Sequence, residues 1–133
     1  MITSPASWTF TPRTGSVRQA RHAARAQLLE WGLHQACEFA ELLISELVTN
    51  AVRHARGIVR LSMSAADGLL RCEVEDASPL VPRPRAAAVD EEGSRGLLLV
   101  EALSSGWGSV PTGRGKIVWF ELPLPAVAVA AAA

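Results

Sequence analysis

Two alternating apolar runs, split by Asp67-Gly68, constrain this chain most. Val59, Leu61 and Met63 precede the pair, and Leu70, Cys72 and Val74 follow it, each at every second position. Successive side chains of a strand point to opposite faces, so each run gives its strand one apolar face. Asp-Gly suits the two-residue turn that joins antiparallel strands. The segment is predicted to be a β-hairpin with one face to bury.

The flanking segments supply the cover. Trp8 to Thr11 alternates and runs into Pro12, which predicts a short edge strand. Ser16 is placed to cap a helix running to about Trp31, with Val17, Ala20, Ala24, Leu28 and Trp31 as its apolar stripe. Arg18, Arg21 and Arg25 face away from that stripe, and Gly32 stops the helix. A second helix is predicted from about Gln35 to Ala55, with Phe39, Leu43, Leu47, Ala51 and His54 near one stripe and Leu42 and Val48 widening it. Residues 81 to 92 hold two prolines and several charges and read as a mobile loop. A third helix follows from about Arg95 or Gly96 to Leu103. Two strands close the chain, from Gly106 to Pro111 and from Lys116 to Leu122, around the turn Gly113-Arg114-Gly115. This order predicts an α+β fold, with helices on one face of a mixed, mostly antiparallel sheet.

The 133 residues match one domain, and 49% are hydrophobic, enough for one core. Residues 1–125 are expected to form that domain, with 126–133 as a disordered alanine and valine tail. Thirteen basic and thirteen acidic residues cancel, which argues against nucleic acid as a partner. No run of about twenty apolar residues occurs, so no membrane span is expected. Met1 to Phe10 lacks the pattern of a signal peptide. Cys37 and Cys72 lie inside apolar patterns, as buried free thiols do, and the three histidines lack zinc-ligand spacing. These features predict a cytoplasmic protein.

Three polar positions are ones that a plain core would not choose. Asn50 lies mid-helix among apolar residues, where asparagine is a poor helix former. Glu46 is one turn earlier and projects from the same face. A carboxylate and an amide carbonyl so placed suit Mg²⁺ or a water; a solvated helix face explains them as well. Strand parity puts Asp76 on the apolar side of the hairpin, where a carboxylate needs donors. An adenine amino group and a water would serve, but so would a structural role capping the turn at Ser78-Pro79. Gly93-Ser94-Arg95-Gly96 before an apolar helix can bring backbone N–H groups to a phosphate, or can simply form a turn.

Together and in this order, these segments resemble the GHKL ATPase superfamily, and most closely the histidine-kinase-type ATPase domains of anti-sigma regulatory factors. The matching stretches are Ser45-Glu46-Leu47-Val48-Thr49-Asn50-Ala51-Val52-Arg53-His54, Val74-Glu75-Asp76-Ala77-Ser78-Pro79, Gly93 to Val100, Trp107-Gly108 and Gly115-Lys116-Ile117-Val118-Trp119-Phe120-Glu121-Leu122. The resemblance implies a Bergerat-type two-layer fold that binds ATP and Mg²⁺. By the same resemblance, Asn50 would hold the metal and Glu46 would be the general base. Asp76, with Ser78 beside it, would bind adenine. Arg95, Gly96 and Leu97 would cradle phosphates, Lys116 would approach the nucleotide, and the stretch from about Pro79 to Gly93 would be the lid. Two departures stand out. Ser94 takes the first place of a Gly-x-Gly, and would be strained if its φ were positive. Ala77-Ser78-Pro79 replaces a glycine-rich run after Asp76.

The implied activity is that of a serine/threonine kinase acting on an STAS-type anti-sigma-factor antagonist, with a sigma factor as second partner. The arginines of the first helix would face that sigma factor or a homodimer mate, or else water. The alternative is a module in which ATP is only a conformational ligand, a reading that Ser94 favours. A two-component histidine kinase fits less well, because His22 lies in a helix of the ATPase layer itself.

Overall fold

Asp67 and Gly68 both take positive φ, 54° and 77°, the backbone that the two-residue turn requires. The turn joins β2 (Val59–Ala66) to β3 (Leu69–Asp76), and the register pairs Met63 with Cys72 and Leu61 with Val74. The computed structural model describes residues 4–54, 57–78 and 92–124, the side chains of 92–97 excepted. The other elements are β1 (Ala6–Phe10), α1 (Thr14–Glu30), a 3-10 turn (His34–Ala36), α2 (Cys37–His54), α3 (Glu92–Leu103), β4 (Gly106–Pro111) and β5 (Lys116–Pro123). The sheet order is β1-β2-β3-β5-β4, and all four described pairings are antiparallel. The expected lid and the Ala/Val tail lie outside the described residues, apart from the lid's last two positions, 92 and 93, which open α3.

One sheet face is apolar and covered. Val59, Leu61 and Met63 of β2, Leu70, Cys72 and Val74 of β3, and Val118, Phe120 and Leu122 of β5 are buried. They join Ala20, Ala24 and Leu28 of α1 and Leu43, Ile44, Leu47, Val48 and Ala51 of α2 in one core. Each fully buried Leu, Ile or Phe contributes about 1.5–3 kcal/mol. On the open face the Trp119 ring lies against β4, where a Cβ on Gly108 would meet it at 3.0 Å. Arg71 stacks on the indole, 4.3 Å from the ring centroid, and bonds Glu73 and Glu121 at 2.9 and 3.2 Å. The stack ties β3, β5 and β4 together from outside and so steadies the start of β5.

Helix boundaries follow local chemistry with some departures. Gly32 has φ 76° and ends α1. Its N–H bonds Leu29 O at 3.1 Å, and Leu33 N–H bonds Leu28 O at 2.8 Å. That is the glycine stop in which two carbonyls are satisfied and the flanking leucines meet; Leu28 and Leu33 are both fully buried. Ser16 does not cap α1. The helix begins two residues earlier, Arg13 holds the N-cap position without a side-chain bond, and Ser16 is buried with its hydroxyl donating to Thr11 O. A hydroxyl that small fits between helix and strand, and its bond to the β1 exit replaces the cap. The buried stripe of α2 keeps the expected Leu43, Leu47, Val48 and Ala51 but differs at its edges. Phe39, Leu42 and His54 are exposed, while Cys37, Ala40 and Ile44 are buried. The cause is packing: α2 lies against α1 as well as the sheet, so its buried face swings toward α1.

Candidate functional site

Asp76 is the last residue of β3, and the register sets it opposite Lys116, the first residue of β5. Both belong to the inward-facing series, so both leave water: Asp76 is 4% exposed and Lys116 6%. Lys116 Nζ donates to Asp76 Oδ1 at 3.0 Å and to the Ser78 carbonyl at 3.3 Å. The Ser78 N–H donates to the same Oδ1 at 2.8 Å. That last bond is an Asx turn, in which a side chain two residues back takes the place of a backbone acceptor. Asp76 therefore does both things its position allowed. It closes the turn after β3, and it is a buried carboxylate with satisfied donors. Sequence reasoning left a ligand and a water or a turn cap at Ser78-Pro79 open for Asp76, and set Lys116 near the nucleotide. It missed Lys116 as a donor to Asp76, for which its place at the start of the neighbouring strand was the available signal.

Gly115 fixes the same spot through the backbone. A Cβ there would fall 2.2 Å from Asp76 O and 2.7 Å from Ala77 Cα, so only glycine lets β5 approach this closely. Thr112 holds the turn that delivers it. Its hydroxyl accepts from Gly115 N–H at 2.9 Å, and its own N–H bonds Gly115 O at 2.9 Å. The sequence marked Gly113-Arg114-Gly115 as a turn; the close approach was not visible.

Glu46 and Asn50 sit one turn apart on α2, both half-buried, and alternate with buried Leu47 and Ala51. Their helix packs on β2 and β3 and also against α3, so it lies between the strand that carries Asp76 and the helix that carries Gly96. An open cavity of about 560 Å³ has Glu46 at its rim, with Arg21, Arg25, Glu38, Glu41 and Ser45 in its lining. Its lining comes from α1, the 3-10 turn and α2, and it is separate from the Asp76 end. The Arg25–Glu41 pair crosses it at 2.8 Å.

The third helix begins at Glu92, three residues before the expected Arg95. The N–H groups left open by the first turn end at residue 94, because the N–H of residue 95 already bonds back along the helix. The N–H groups of Arg95, Gly96 and Leu97 are therefore engaged within α3. Ser94 has helical backbone, and Asp67 is the non-glycine residue of positive φ among the described residues. The strain expected at Ser94 is therefore not present.

Cys37 and Cys72 are the two cysteines of the chain. Both are free and buried. Burial pushes the Cys72 thiol well up, and it raises Cys37 too, with Arg25 opposing and Glu41 adding. Among the described residues no group of three or more His, Cys, Asp or Glu is placed to hold a metal, and no helix is long and apolar enough to cross a membrane. Mg²⁺ is commonly held by one or two protein oxygens with phosphates and waters completing its shell, and Asn50 fits that role.

Comparison with known proteins agrees with this fold. The histidine kinase domain of the blue-light activated histidine kinase from Erythrobacter litoralis EL346 is similar at 30% identity and a TM-score of 0.53. The match covers 72% of this chain and 48% of that one, so the chain spans about half the length of that structure. The histidine kinase AdeS of Acinetobacter baumannii shares the fold at 13% identity and a TM-score of 0.53, over 92% of this chain and 69% of that one. No curated protein matches in sequence. A family model described as histidine kinase-like ATPase domain matches residues 10–122, almost the whole described fold, and the chain belongs to that family.

Proposed function

We propose that this ATPase domain is a cytoplasmic anti-sigma regulatory factor that uses Mg·ATP to phosphorylate a serine or threonine of an STAS-type anti-sigma-factor antagonist. The carrying observation is the buried carboxylate of Asp76 at the rim of the sheet, held in place beside the helix that bears Glu46 and Asn50. The motif runs around Glu46, Asp76 and Lys116 support the anti-sigma branch of the family.

The chain's residues divide the work. Asp76 accepts a hydrogen bond from the amino group of the base, with Ser78 closing the turn behind it. The start of α3, just before Arg95, Gly96 and Leu97, offers N–H groups and a dipole to the phosphates. Asn50 offers its carbonyl oxygen to Mg²⁺. Glu46 takes the proton from the accepting hydroxyl. Bound ATP supplies the transferable phosphoryl group, and its transfer needs positioning and charge neutralisation more than covalent help.

The test is incubation with labelled Mg·ATP and a candidate antagonist. Acid-stable phosphate on a partner hydroxyl is expected, at least a hundredfold reduced in Asn50→Ala and in Glu46→Gln by the usual scale of a lost catalytic group. Tight ATP binding without transfer would establish the second reading, a binding module. Ser94, which favoured that reading, lies inside α3 with ordinary backbone.

A further inference from the structure

The Asp76 end of the site holds a cation that base recognition alone does not require. Lys116 is 6% exposed, and its ammonium reaches both the Asp76 carboxylate and the Ser78 carbonyl. Both described contacts of Asp76 fall on one oxygen, Oδ1. Two donors on one carboxylate oxygen set the plane of the group. The backbone beneath is set as well, because Gly115 approaches Asp76 O and Ala77 more closely than any side chain would permit.

We propose that Lys116 is a positioning residue that makes the site select a 6-amino purine over a 6-oxo purine. The inference rests on the nucleotide reading above. With Oδ1 committed to the ammonium and to the Ser78 amide, Oδ2 is the oxygen that meets the base. A carboxylate oxygen so held offers only lone pairs. An exocyclic amine donates to it, whereas a ring carbonyl at the same place opposes it with lone pairs of its own. A site built around one hydrogen-bonding group rejects the analogue lacking it, because its own buried polar group is left unmet. Without the lysine, the carboxyl can turn about its side-chain bond, and Oδ2 no longer stays aimed at the amine. Lys116 thus acts through Asp76 and touches no reacting atom.

Calorimetric titration of the full chain with Mg·ATP and with Mg·ITP tests this. Wild type is expected to bind ATP about tenfold or more tighter than ITP, the scale of one charge-assisted hydrogen bond. Lys116→Met is expected to bring that ratio below about threefold, through weaker ATP binding with ITP binding little changed. A merely structural role would weaken both nucleotides alike and keep the ratio, which would overturn the proposal. If Lys116→Met does not fold, Lys116→Gln stays polar in this buried place but, uncharged and one atom shorter, gives up the ammonium's hold on Oδ1. A ratio lowered in that variant supports the positioning role, and an unchanged one overturns it. Wild type that binds neither nucleotide overturns the nucleotide reading itself, whereas a preference for ATP that survives both substitutions overturns only the role of Lys116.

Discussion

The two ends of the candidate site are built from different material. At the Asp76 end, strand register, a buried ion pair, an Asx turn and a glycine contact hold one carboxylate. At the other end, Glu46, Asn50 and the start of α3 are carried by helices, and the two α2 side chains are half-buried. A sheet rim fixes a group by hydrogen bonds on several sides, while a helix face fixes it only through the packing beneath. On the proposed function, selection of the base and handling of the phosphates are separable, the first rigidly framed and the second more open to solvent.

The largest effect expected on that contrast is at Asp76. Asp76→Ala leaves the Lys116 ammonium buried and unpaired, which costs about 3–5 kcal/mol, read as a lower urea midpoint, and Mg·ATP titration should give no binding heat. Adding Lys116→Met removes the stranded charge and should recover much of the stability without recovering binding. A single variant as stable as wild type would show that the strand end is less rigid than its geometry. Next comes Gly115→Ala, whose Cβ must displace backbone at Asp76 and Ala77. It should lower stability by about 1–3 kcal/mol and weaken ATP, while Gly113→Ala, with nothing within 4 Å of its Cβ, should change neither. The smallest effect belongs to the helical side. Arg25→Ala breaks a pair whose arginine is 55% exposed, so a loss under about 0.5 kcal/mol is expected, with ATP affinity unchanged.

Much of the fold was legible because strand parity and turn chemistry are local rules. Asp67-Gly68, the inward series ending at Asp76, and the glycine stop at Gly32 all follow from residues within a few positions of one another. Errors arose where a distant partner decides. Ser16 reads as a cap from its neighbours, yet the β1 exit claims its hydroxyl. Phe39 and His54 fit a helical stripe, yet α1 turns the buried face of α2 away from them. In the site, Asp76 was found by parity, but its donors were not, since Lys116 is forty residues away in sequence. The tight seat of Gly115 is likewise a contact between segments, and one residue type in a turn does not announce it.

Because the hairpin turn at Asp67-Gly68 anchors the count, the length of β3 can change only in even steps. Adding or removing two residues between Gly68 and Asp76 would lengthen or shorten the blade yet keep its terminal acid under the helices. Adding or removing one would deliver the same acid to the opposite side of the sheet, away from the helices. The molecule thus has a ruler with a two-residue graduation, and it passes through the middle of the domain.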